Sequence, residues 1–463
     1  MAGVGREAHA LAAIYVWAVA WWVTGALPLA ATALLSSGLA VVLGVAPATK
    51  VFAAYADPII FLFIGSFMLA AAMRESGLDA RFAFALLRHG GATRTPRRLL
   101  ATVGVITCAL SLWLSNTATT ALMLPVGVGL LQSLGPAGDP ARSRFPTGLM
   151  LMLTWASSVA VGIPVGSPPN LIAIGMVRDL AGRRLSFFDW VAVAMPLTVV
   201  MLAACFAILA GRYPAAAERP EDVRRWVDAE RARLGPWRRA EVNVLAVFGL
   251  VGTLWMLPGA VAMVAGSDAA LPRFFDARLP EPVVALLGAV LLFLLPTDWR
   301  RGEFTLTWRQ AARIDWGTVL LFGGGLALGR LMFDTGLAEA VGTALVRVSG
   351  AEGLWQLTAV AIVTGIALSE ASSNTASASV VVPVMIAVAQ GLGVSPVPPA
   401  LGAALGASFG FMLPVSTPPN AIVFGSGLVP LREMVRAGLL LDLAGAGLIW
   451  LGLRVLCPLV GLL

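Results

Sequence analysis

Apolar stretches of membrane-spanning length recur along the whole chain, separated by short loops that contain arginine and proline. A helix needs about 20 apolar residues to cross the hydrocarbon core of a bilayer. The pattern predicts spans at residues 8–25, 28–46, 57–75, 147–166, 189–211, 240–257, 282–296, 315–333, 398–416 and 437–456. It therefore predicts an all-α polytopic membrane protein with about 10–11 transmembrane helices.

Two further apolar segments, 98–134 and 352–390, are each interrupted by Ser-Asn-Thr, at residues 115–117 and 373–375. These residue types are favoured helix N-caps, so each motif is predicted to end one helix and start another. The first arm, residues 98–114, would be about 25 Å long, which places the break deep in the bilayer. We predict two re-entrant helical hairpins, although the loop charges alone fit a pair of spans equally well.

The chain contains an internal duplication. Asp57 opens a segment that matches the one from Asp315, and the same spacing separates Ser115 from Ser373. A third pair of motifs follows in the same order, "GSPPN" and "STPPN". Each half holds an odd number of complete spans, so the halves are predicted to have inverted topology, as in many secondary transporters.

The two Pro-Pro motifs predict a second pair of helix breaks. Consecutive prolines remove two N–H donors and leave upstream carbonyls free. The residues predicted to cap the following helices are Ser167, Asn170, Thr417 and Asn420. Broken backbone is tolerated at membrane depth only where it lines an enclosed or water-filled site. Four breaks, two per half, therefore predict a binding site near the bilayer midplane.

Composition supports a membrane protein and changes how the charge is interpreted. The 463 residues are 58% hydrophobic and 12% charged, with a mean hydropathy of +0.86, which excludes a soluble globular domain. Basic residues are scattered through the loops, so the net charge of +7 indicates membrane topology rather than nucleic-acid binding. No nucleophile–base pair or metal motif lies near the breaks, which argues against an enzyme.

The predicted site lacks basic side chains. No Lys, Arg or His occurs between Arg98 and Arg142, Phe145 and Val177, or Arg347 and Arg432. An anion would thus meet helix N-termini, hydroxyls and amides, and bound cations would balance its charge. Oxygen atoms suited to Na⁺ are present on Ser111, Ser115, Asn116, Ser369, Ser372, Ser373 and Asn374. Such a set without carboxylates favours a monovalent ion over Ca²⁺ or Mg²⁺.

Glu370 is the one acid within the interrupted segments, and its counterpart in the first half is Leu112. A proton or cation site is one interpretation. Because the acid is absent from the other half, we favour a structural role, in which it pairs with a backbone break or an interface.

The segments "SLWLSNTATTALMLP", "SEASSNTASASVVVP" and "ASFGFMLPVSTPPNAIVFGSG" resemble the divalent anion/sodium symporter family of dicarboxylate, citrate and sulfate transporters. The resemblance covers almost the whole chain. It implies a homodimer in which a transport domain moves as an elevator against a scaffold domain. The implied division is 1–97 scaffold, 98–211 transport, 212–239 cytoplasmic connector, 240–351 scaffold and 352–463 transport.

The resemblance also implies ligand sets. One Na⁺ would be held by Ser111, Ser115, Asn116 and Gly166, and a second by Ser369, Ser372, Asn374 and Ser416. The implied substrate contacts are Ser115, Asn116, Thr117, Pro168, Ser373, Asn374, Thr375, Thr417 and Pro418. Ser369 and Ser416 stand where relatives often have Thr and Ala, and each keeps the hydroxyl or carbonyl oxygen. The peripheral first helix usual in relatives is expected to be missing.

These observations predict a multi-pass transporter of the inner (plasma) membrane that moves a small dianionic carboxylate, such as succinate, together with sodium ions. Two alternatives remain within transport: a dicarboxylate exchanger that sodium does not drive, and a symporter of sulfate or another divalent anion. A channel is disfavoured because it would present an open polar path instead of two opposed helix caps.

Overall fold

The computed structural model describes residues 5–89, 95–134, 144–214, 220–266 and 269–463. Within these ranges the chain is helical almost throughout, and its two short strands form one antiparallel pair. The parts of the predicted division that lie outside the described residues are 1–4 and 90–94 (first scaffold part), 135–143 (first transport part), 215–219 (connector) and 267–268 (second scaffold part).

The first half and the connector supply the helices up to α11. They are α1 (Arg6–Thr24), α2 (Leu29–Val42), α3 (Ala48–Phe52), a 3₁₀ turn (Ala53–Ala56), α4 (Pro58–Ser76), α5 (Leu78–His89), α6 (Pro96–Ser111), α7 (Asn116–Ser133), α8 (Phe145–Ser158), a 3₁₀ turn (Pro164–Gly166), α9 (Pro168–Ala181), α10 (Phe187–Arg212) and α11 (Pro220–Arg233).

The second half repeats the pattern of long helices and breaks. Its elements are α12 (Arg239–Ala265), α13 (Ala270–Arg278), α14 (Glu281–Leu294), β1 (Pro296–Asp298), β2 (Glu303–Phe304), α15 (Trp308–Ala311), α16 (Trp316–Asp334), α17 (Leu337–Ser349), α18 (Leu354–Ala371), α19 (Asn374–Gly391), α20 (Val397–Ala407), α21 (Pro418–Gly425) and α22 (Leu431–Leu459).

The all-helical, polytopic fold predicted from the sequence is confirmed. Among the described residues, seven helices are long and apolar enough to cross a membrane, and an eighth span results if the bent pair α13–α14 counts as one. Two of the seven, α18 and α19, are the arms of the second predicted hairpin. The predicted spans 8–25, 28–46, 147–166 and 398–416 form helices that fall short of that length or hydropathy.

Two of those spans end early for a local reason. The helix in 147–166 stops at Ser158, and the helix in 398–416 stops at Ala407. Glycine and proline follow in both places, and these residues disfavour further helix. Each predicted span is therefore half helix and half unwound backbone that leads into a Pro-Pro break.

The duplication has a physical counterpart at the first residue of each repeat. Asp57 caps α4 by accepting a hydrogen bond on Oδ1 from the Ile59 N–H at 3.0 Å. Asp315 caps α16 in the same manner, with Oδ1 3.0 Å from the Thr318 nitrogen. The aspartate that marks the repeat in the sequence thus starts an equivalent helix in each half.

Contacts between the two halves are reciprocal. The first hairpin packs α7 against α21 of the second half, and the second hairpin packs α19 against α9 of the first half. Likewise α2 packs against α16, while α14 packs against α4. Exchange of equivalent partners is what a pseudo-two-fold axis between repeats produces.

Helix α20 lies at the centre of the molecule, where every one of its residues is buried. It approaches α18 closely because glycines face the contact: a Cβ at Gly406 would lie 2.5 Å from the Ile362 carbonyl oxygen. A Cβ at Gly365 would lie 2.6 Å from the Ala403 carbonyl oxygen. Small residues at such positions allow helix backbones to pack tightly in membranes.

The outer helices α10, α12 and α22 bury only 33%, 22% and 28% of their most apolar windows. Their exposed side chains are large and apolar, with Val199, Val264 and Leu443 more than half exposed. An apolar surface of this kind suits contact with the hydrocarbon core of a bilayer.

Candidate functional site

The four predicted breaks meet at one cavity of about 1130 Å³. Both Ser-Asn-Thr tips line it, together with both Pro-Pro breaks and the start of α2. All nine residues proposed to contact substrate lie on its wall: Ser115, Asn116, Thr117, Pro168, Ser373, Asn374, Thr375, Thr417 and Pro418. Residues more than 250 positions apart in the sequence thus share one space, as the repeat predicts.

The first tip is a short turn between α6 and α7. Ser115 is the N-cap of α7, and its Oγ accepts a hydrogen bond from the Ala118 N–H at 3.3 Å. Ser115 and Thr117 are exposed to the cavity, whereas Asn116 is half-buried. The predicted capping role of Ser115 is confirmed.

The second tip is capped differently. Ser373 occupies the N-cap position of α19, but its side chain makes no capping hydrogen bond. The second motif still ends α18 and starts α19, as predicted. Its backbone still turns the chain as at the first tip, with φ −64° and ψ 138° against −63° and 147° at Ser115.

One polar contact is repeated at both tips. Ser111 Oγ donates to Asn116 Oδ1 at 3.0 Å, and Ser369 Oγ donates to Asn374 Oδ1 at 2.7 Å. Both serines are fully buried. In each half the last turn of one helix therefore presents a hydroxyl oxygen beside the amide oxygen that begins the next helix.

Gly166 closes the first candidate cation site. A Cβ on this residue would lie 3.0 Å from the Leu112 carbonyl oxygen and 2.9 Å from the Ala160 carbonyl oxygen. Only glycine permits this close approach of backbone to backbone. The site combines hydroxyl, amide and carbonyl oxygens and fits a weakly held monovalent cation. The Ser115 hydroxyl caps α7 and lines the cavity, so it lies beside the substrate space as well.

In the second candidate cation site, the serine and asparagine also contact backbone carbonyls. Ser369 Oγ also lies 2.7 Å from the Ala407 carbonyl oxygen, and Asn374 Nδ2 donates to the Ser408 carbonyl at 3.4 Å. A Cβ on Gly410 would lie 3.1 Å from Ser416 Cβ and 3.3 Å from the Ser369 hydroxyl oxygen. The unwound segment after α20 thus brings three of the four predicted ligands together: Ser369, Asn374 and Ser416.

The fourth predicted ligand, Ser372, turns its hydroxyl elsewhere. Its Oγ donates to the Leu368 carbonyl at 3.1 Å and lies 3.0 Å from Ser377 Oγ. The Ser372 hydroxyl is therefore not directed at the other three predicted ligands.

Glu370 binds the unwound segment that follows α20. Its Oε1 accepts from the Phe411 and Met412 N–H groups at 2.5 and 2.9 Å, and its Oε2 accepts from Ser416 Oγ at 2.7 Å. The interpretation that this acid pairs with a backbone break is confirmed. That break is the unwound backbone between α20 and α21. Glu370 itself lies just before the second Ser-Asn-Thr turn.

The asparagines of the Pro-Pro motifs do not cap the helices that follow, so that prediction is wrong. Asn170 Nδ2 donates backwards to the Val161 and Ile163 carbonyls at 3.2 and 3.1 Å. Asn420 Nδ2 donates to the Gly410 and Leu413 carbonyls at 2.8 and 2.9 Å. Two prolines supply no N–H groups, so the freed carbonyls of the unwound backbone take their donors from the amide side chain.

The two Pro-Pro breaks differ in helix capping: the second has a side-chain cap and the first does not. Thr417 Oγ1 accepts from the Asn420 N–H at 3.3 Å, as predicted. Ser167 makes no capping bond with its side chain, which lies 3.5 Å from Ser408 Oγ instead. Asn420 Oδ1 accepts from Thr154 Oγ1 at 2.6 Å and so ties the second break to α8 of the first half.

Two charged residues on the cavity wall, Arg74 and Asp315, were not predicted. Arg74 lies in the last turn of α4, and it corrects the expectation that an anion would meet no basic side chain. The expectation was wrong because α4 lies outside the interrupted segments and the Pro-Pro stretches to which it was limited. The internal duplication places Asp315 at the start of the second repeat, and that is the feature of the sequence that could have indicated its position.

A helical membrane protein whose two hairpin tips and two Pro-Pro breaks meet at one cavity is built as a secondary transporter. The chain belongs to the sodium:sulfate symporter family, since the family's transmembrane-region model matches residues 1–461. The predicted family resemblance is confirmed, and the family consists of multi-pass membrane transporters rather than enzymes. The chain is accordingly a plasma-membrane protein.

Two named relatives match most of the chain. The sodium-dependent dicarboxylate transporter SdcS of Staphylococcus saprophyticus is 32% identical over 96% of this chain and 85% of its own length. The protein of the same name from Staphylococcus aureus is 29% identical over 97% of this chain and 86% of its own.

Two solved structures share the fold. The Alcanivorax borkumensis YdaH transporter superposes with a TM-score of 0.55 at 16% identity, over 89% of this chain and 87% of that one. Neisseria gonorrhoeae MtrF, described as an antimetabolite efflux pump, gives 0.54 at 10% identity, over 88% and 83%. At these identities the comparison supports the architecture alone.

Proposed function

We propose that this protein is a sodium-coupled symporter of small dicarboxylates of the succinate type. The observation that carries the proposal is the meeting of both Ser-Asn-Thr tips in one cavity, each with its own serine–asparagine oxygen pair. The names of the relatives from the two Staphylococcus species support sodium dependence and dicarboxylate transport.

The arrangement of donors supports a substrate with two anionic ends. Each tip offers hydroxyl groups, an amide and the N-terminus of a helix, which attract a carboxylate. The two tips come from opposite halves, so each can bind one end of the same molecule. This is the reason to prefer a dicarboxylate to sulfate, whose charge is concentrated at one centre.

Sodium is proposed as the coupling ion because the oxygen sets lie directly behind the tips. Occupation of the sites of Ser111, Asn116 and Gly166, and of Ser369, Asn374 and Ser416, would fix both tips in the substrate-binding geometry. Two sodium ions would also balance the full formal charge of a dianion in a space of low dielectric. Substrate binding and sodium binding would thereby become mutually dependent.

For the transport step we propose an elevator movement of a transport domain (98–211 and 352–463) against a scaffold domain (1–97 and 240–351), joined by the connector 212–239. Every proposed ligand of substrate or sodium lies in the transport domain. The scaffold side of the cavity contributes Pro28, Arg74 and Asp315. We also propose a homodimer, which the family resemblance implies.

Uptake by proteoliposomes tests this function. The purified protein is reconstituted, and uptake of labelled succinate is measured with an inward Na⁺ gradient and with an equal K⁺ gradient, using sulfate and citrate as competitors. We expect uptake that requires Na⁺ and that sulfate inhibits weakly. Uptake that ignores Na⁺ but requires internal dicarboxylate would identify an exchanger, and entry of sulfate without any carboxylate would overturn the proposed substrate.

A further inference from the structure

Asp442, in the middle of α22, is a buried acid that the proposed mechanism does not use. Its residue is 4% exposed, and neither of its carboxylate oxygens has a hydrogen-bond donor among the described residues. An unpartnered carboxylate in the interior is costly, because burial removes its hydration without replacement. A polar partner of some kind is therefore required.

The carboxyl group of Asp442 faces that of Glu370. The two side chains lie within hydrogen-bonding reach of each other, and Glu370 is itself only 6% exposed. Neither acid forms an ion pair with a Lys, Arg or His in the part of the chain that the structure describes. Two facing acids without a counter-charge attract a positive species between them.

Helix packing holds Asp442 in this place. Gly438 and Gly445, one turn before and one turn after it, lie on the same face of α22. A Cβ on Gly438 would lie 2.5 Å from the Phe411 carbonyl oxygen, and one on Gly445 would lie 2.2 Å from the Phe409 ring. This face of α22 therefore packs closely against the unwound segment whose N–H groups bind Glu370.

Three donors hold the Glu370 carboxylate in place. They are the Phe411 and Met412 N–H groups and the Ser416 hydroxyl. Ser416 is also one of the proposed ligands of the second sodium ion. The Glu370–Asp442 pair therefore adjoins that site on the side away from the cavity.

We propose that Glu370 and Asp442 form a further sodium site, in which the ion bridges the two carboxylates behind the second Ser-Asn-Thr tip. Oxygen-only ligands of this kind suit a hard cation. The first half has no equivalent, since leucine occupies the position that matches Glu370. The proposal rests on the proposed sodium coupling and adds one sodium ion, whose site occurs in the second half only.

The test counts sodium ions directly. Equilibrium binding of ²²Na⁺ to the purified protein, without dicarboxylate, is compared between the wild type and Asp442→Asn. Asp222→Asn serves as the control, because it removes an acid from the connector helix α11, outside the membrane helices. We expect Asp442→Asn to bind one sodium fewer per protomer at saturation, and the control to match the wild type.

The same variants are then assayed for succinate uptake as a function of Na⁺. Asp442→Asn is expected to lower the Hill coefficient for Na⁺ and the number of sodium ions moved per succinate. If Asp442→Asn does not fold, Asp442→Leu removes the carboxylate without leaving a polar group that needs a partner. Equal sodium counts in the wild type and a folded variant would indicate a shared proton and overturn the site.

The two proposals can fail separately. Sodium binding is measured without substrate, so a lack of succinate uptake would refute the dicarboxylate function and leave the sodium count to decide the site. Normal uptake with an unchanged sodium count in Asp442→Asn would instead refute the site alone.

Discussion

Arg178 Nη2 lies 2.6 Å from Asp57 Oδ1 and 2.7 Å from Oδ2, so one guanidinium nitrogen binds both oxygens of the carboxylate that caps α4. Arg330 Nη2 donates to the same Asp57 Oδ2 at 2.7 Å. Both arginines also bind Asp179. The cluster links α9 of the proposed transport domain to α4 and α16 of the proposed scaffold.

Arg178→Gln is predicted to weaken this link and to depopulate the present conformation. A charge-assisted hydrogen bond contributes about 1.5–3 kcal/mol, less when it is part-exposed, so a shift of about tenfold in the conformational equilibrium is expected. A cysteine at exposed Val415 on the cavity wall reports the change through its rate of labelling by an impermeant reagent.

The control for this link is Arg224→Gln, because Arg224 is an exposed arginine on α11. The control should be labelled at the wild-type rate, and equal labelling rates in Arg178→Gln, the control and the wild type would contradict the assignment of the cluster to a boundary between moving parts.

Asn116→Ala and Asn374→Ala are each predicted to reduce succinate uptake at least tenfold while the protein remains folded. Each change removes the amide oxygen that accepts from Ser111 or Ser369, and an unpaired buried group costs about 1–3 kcal/mol. Asn243→Ala is the matched control, since Asn243 bonds Pro296 and Thr305 away from the cavity. Near-normal uptake in both tip variants would refute the site.

Gly166→Ala is predicted to raise the Na⁺ concentration for half-maximal uptake by about tenfold or more. The added Cβ would meet the Leu112 and Ala160 carbonyl oxygens and force them apart. Gly447→Ala, in α22, adds the same methyl group to open space. If both variants show the same sodium dependence, the backbone around Gly166 does not contribute to a cation site.

Arg74→Gln is predicted to raise the half-saturation concentration for succinate several-fold, and the difference from the wild type should shrink at high salt. Two unit charges about 4 Å apart in water interact by about 1 kcal/mol, so the charge of Arg74 favours binding of a dianion and salt weakens the effect. Uptake kinetics measured at two ionic strengths check this. Arg88→Gln changes an exposed arginine on α5 and should leave the constant unchanged.

Burial raises the pKa of Asp79, in amphipathic α5, to about 6, against the partial effect of the Ala80 N–H and Arg74. The folded state therefore keeps this proton at pH values where the unfolded chain has lost it. The resulting stabilisation is complete below about pH 4 and is lost as the pH rises through about 6. Asp79→Asn should therefore raise the melting temperature at pH 8 and change it little at pH 4.5.

The sequence predicted the parts of the site that repeat. Ser115 and Ser373, with the two Pro-Pro motifs, identified the four breaks, because polar and helix-breaking residues in apolar segments need an enclosed site. The partners of Asn170 and Asn420 were not predicted. The sequence alone does not distinguish an asparagine that caps the next helix from one that donates to carbonyls earlier in the chain. Arg74 and Asp442 could not be placed, because only tertiary packing brings them to the breaks.

The reciprocal packing of α7 with α21 and of α19 with α9 has a consequence for biosynthesis. The first tip is translated roughly 300 residues before α21, a delay of roughly 15–60 s at about 5–20 residues per second. Throughout that interval α7 lacks its packing partner α21. The first half therefore cannot complete its packing during synthesis, and the transporter reaches its final fold only when both halves have been inserted.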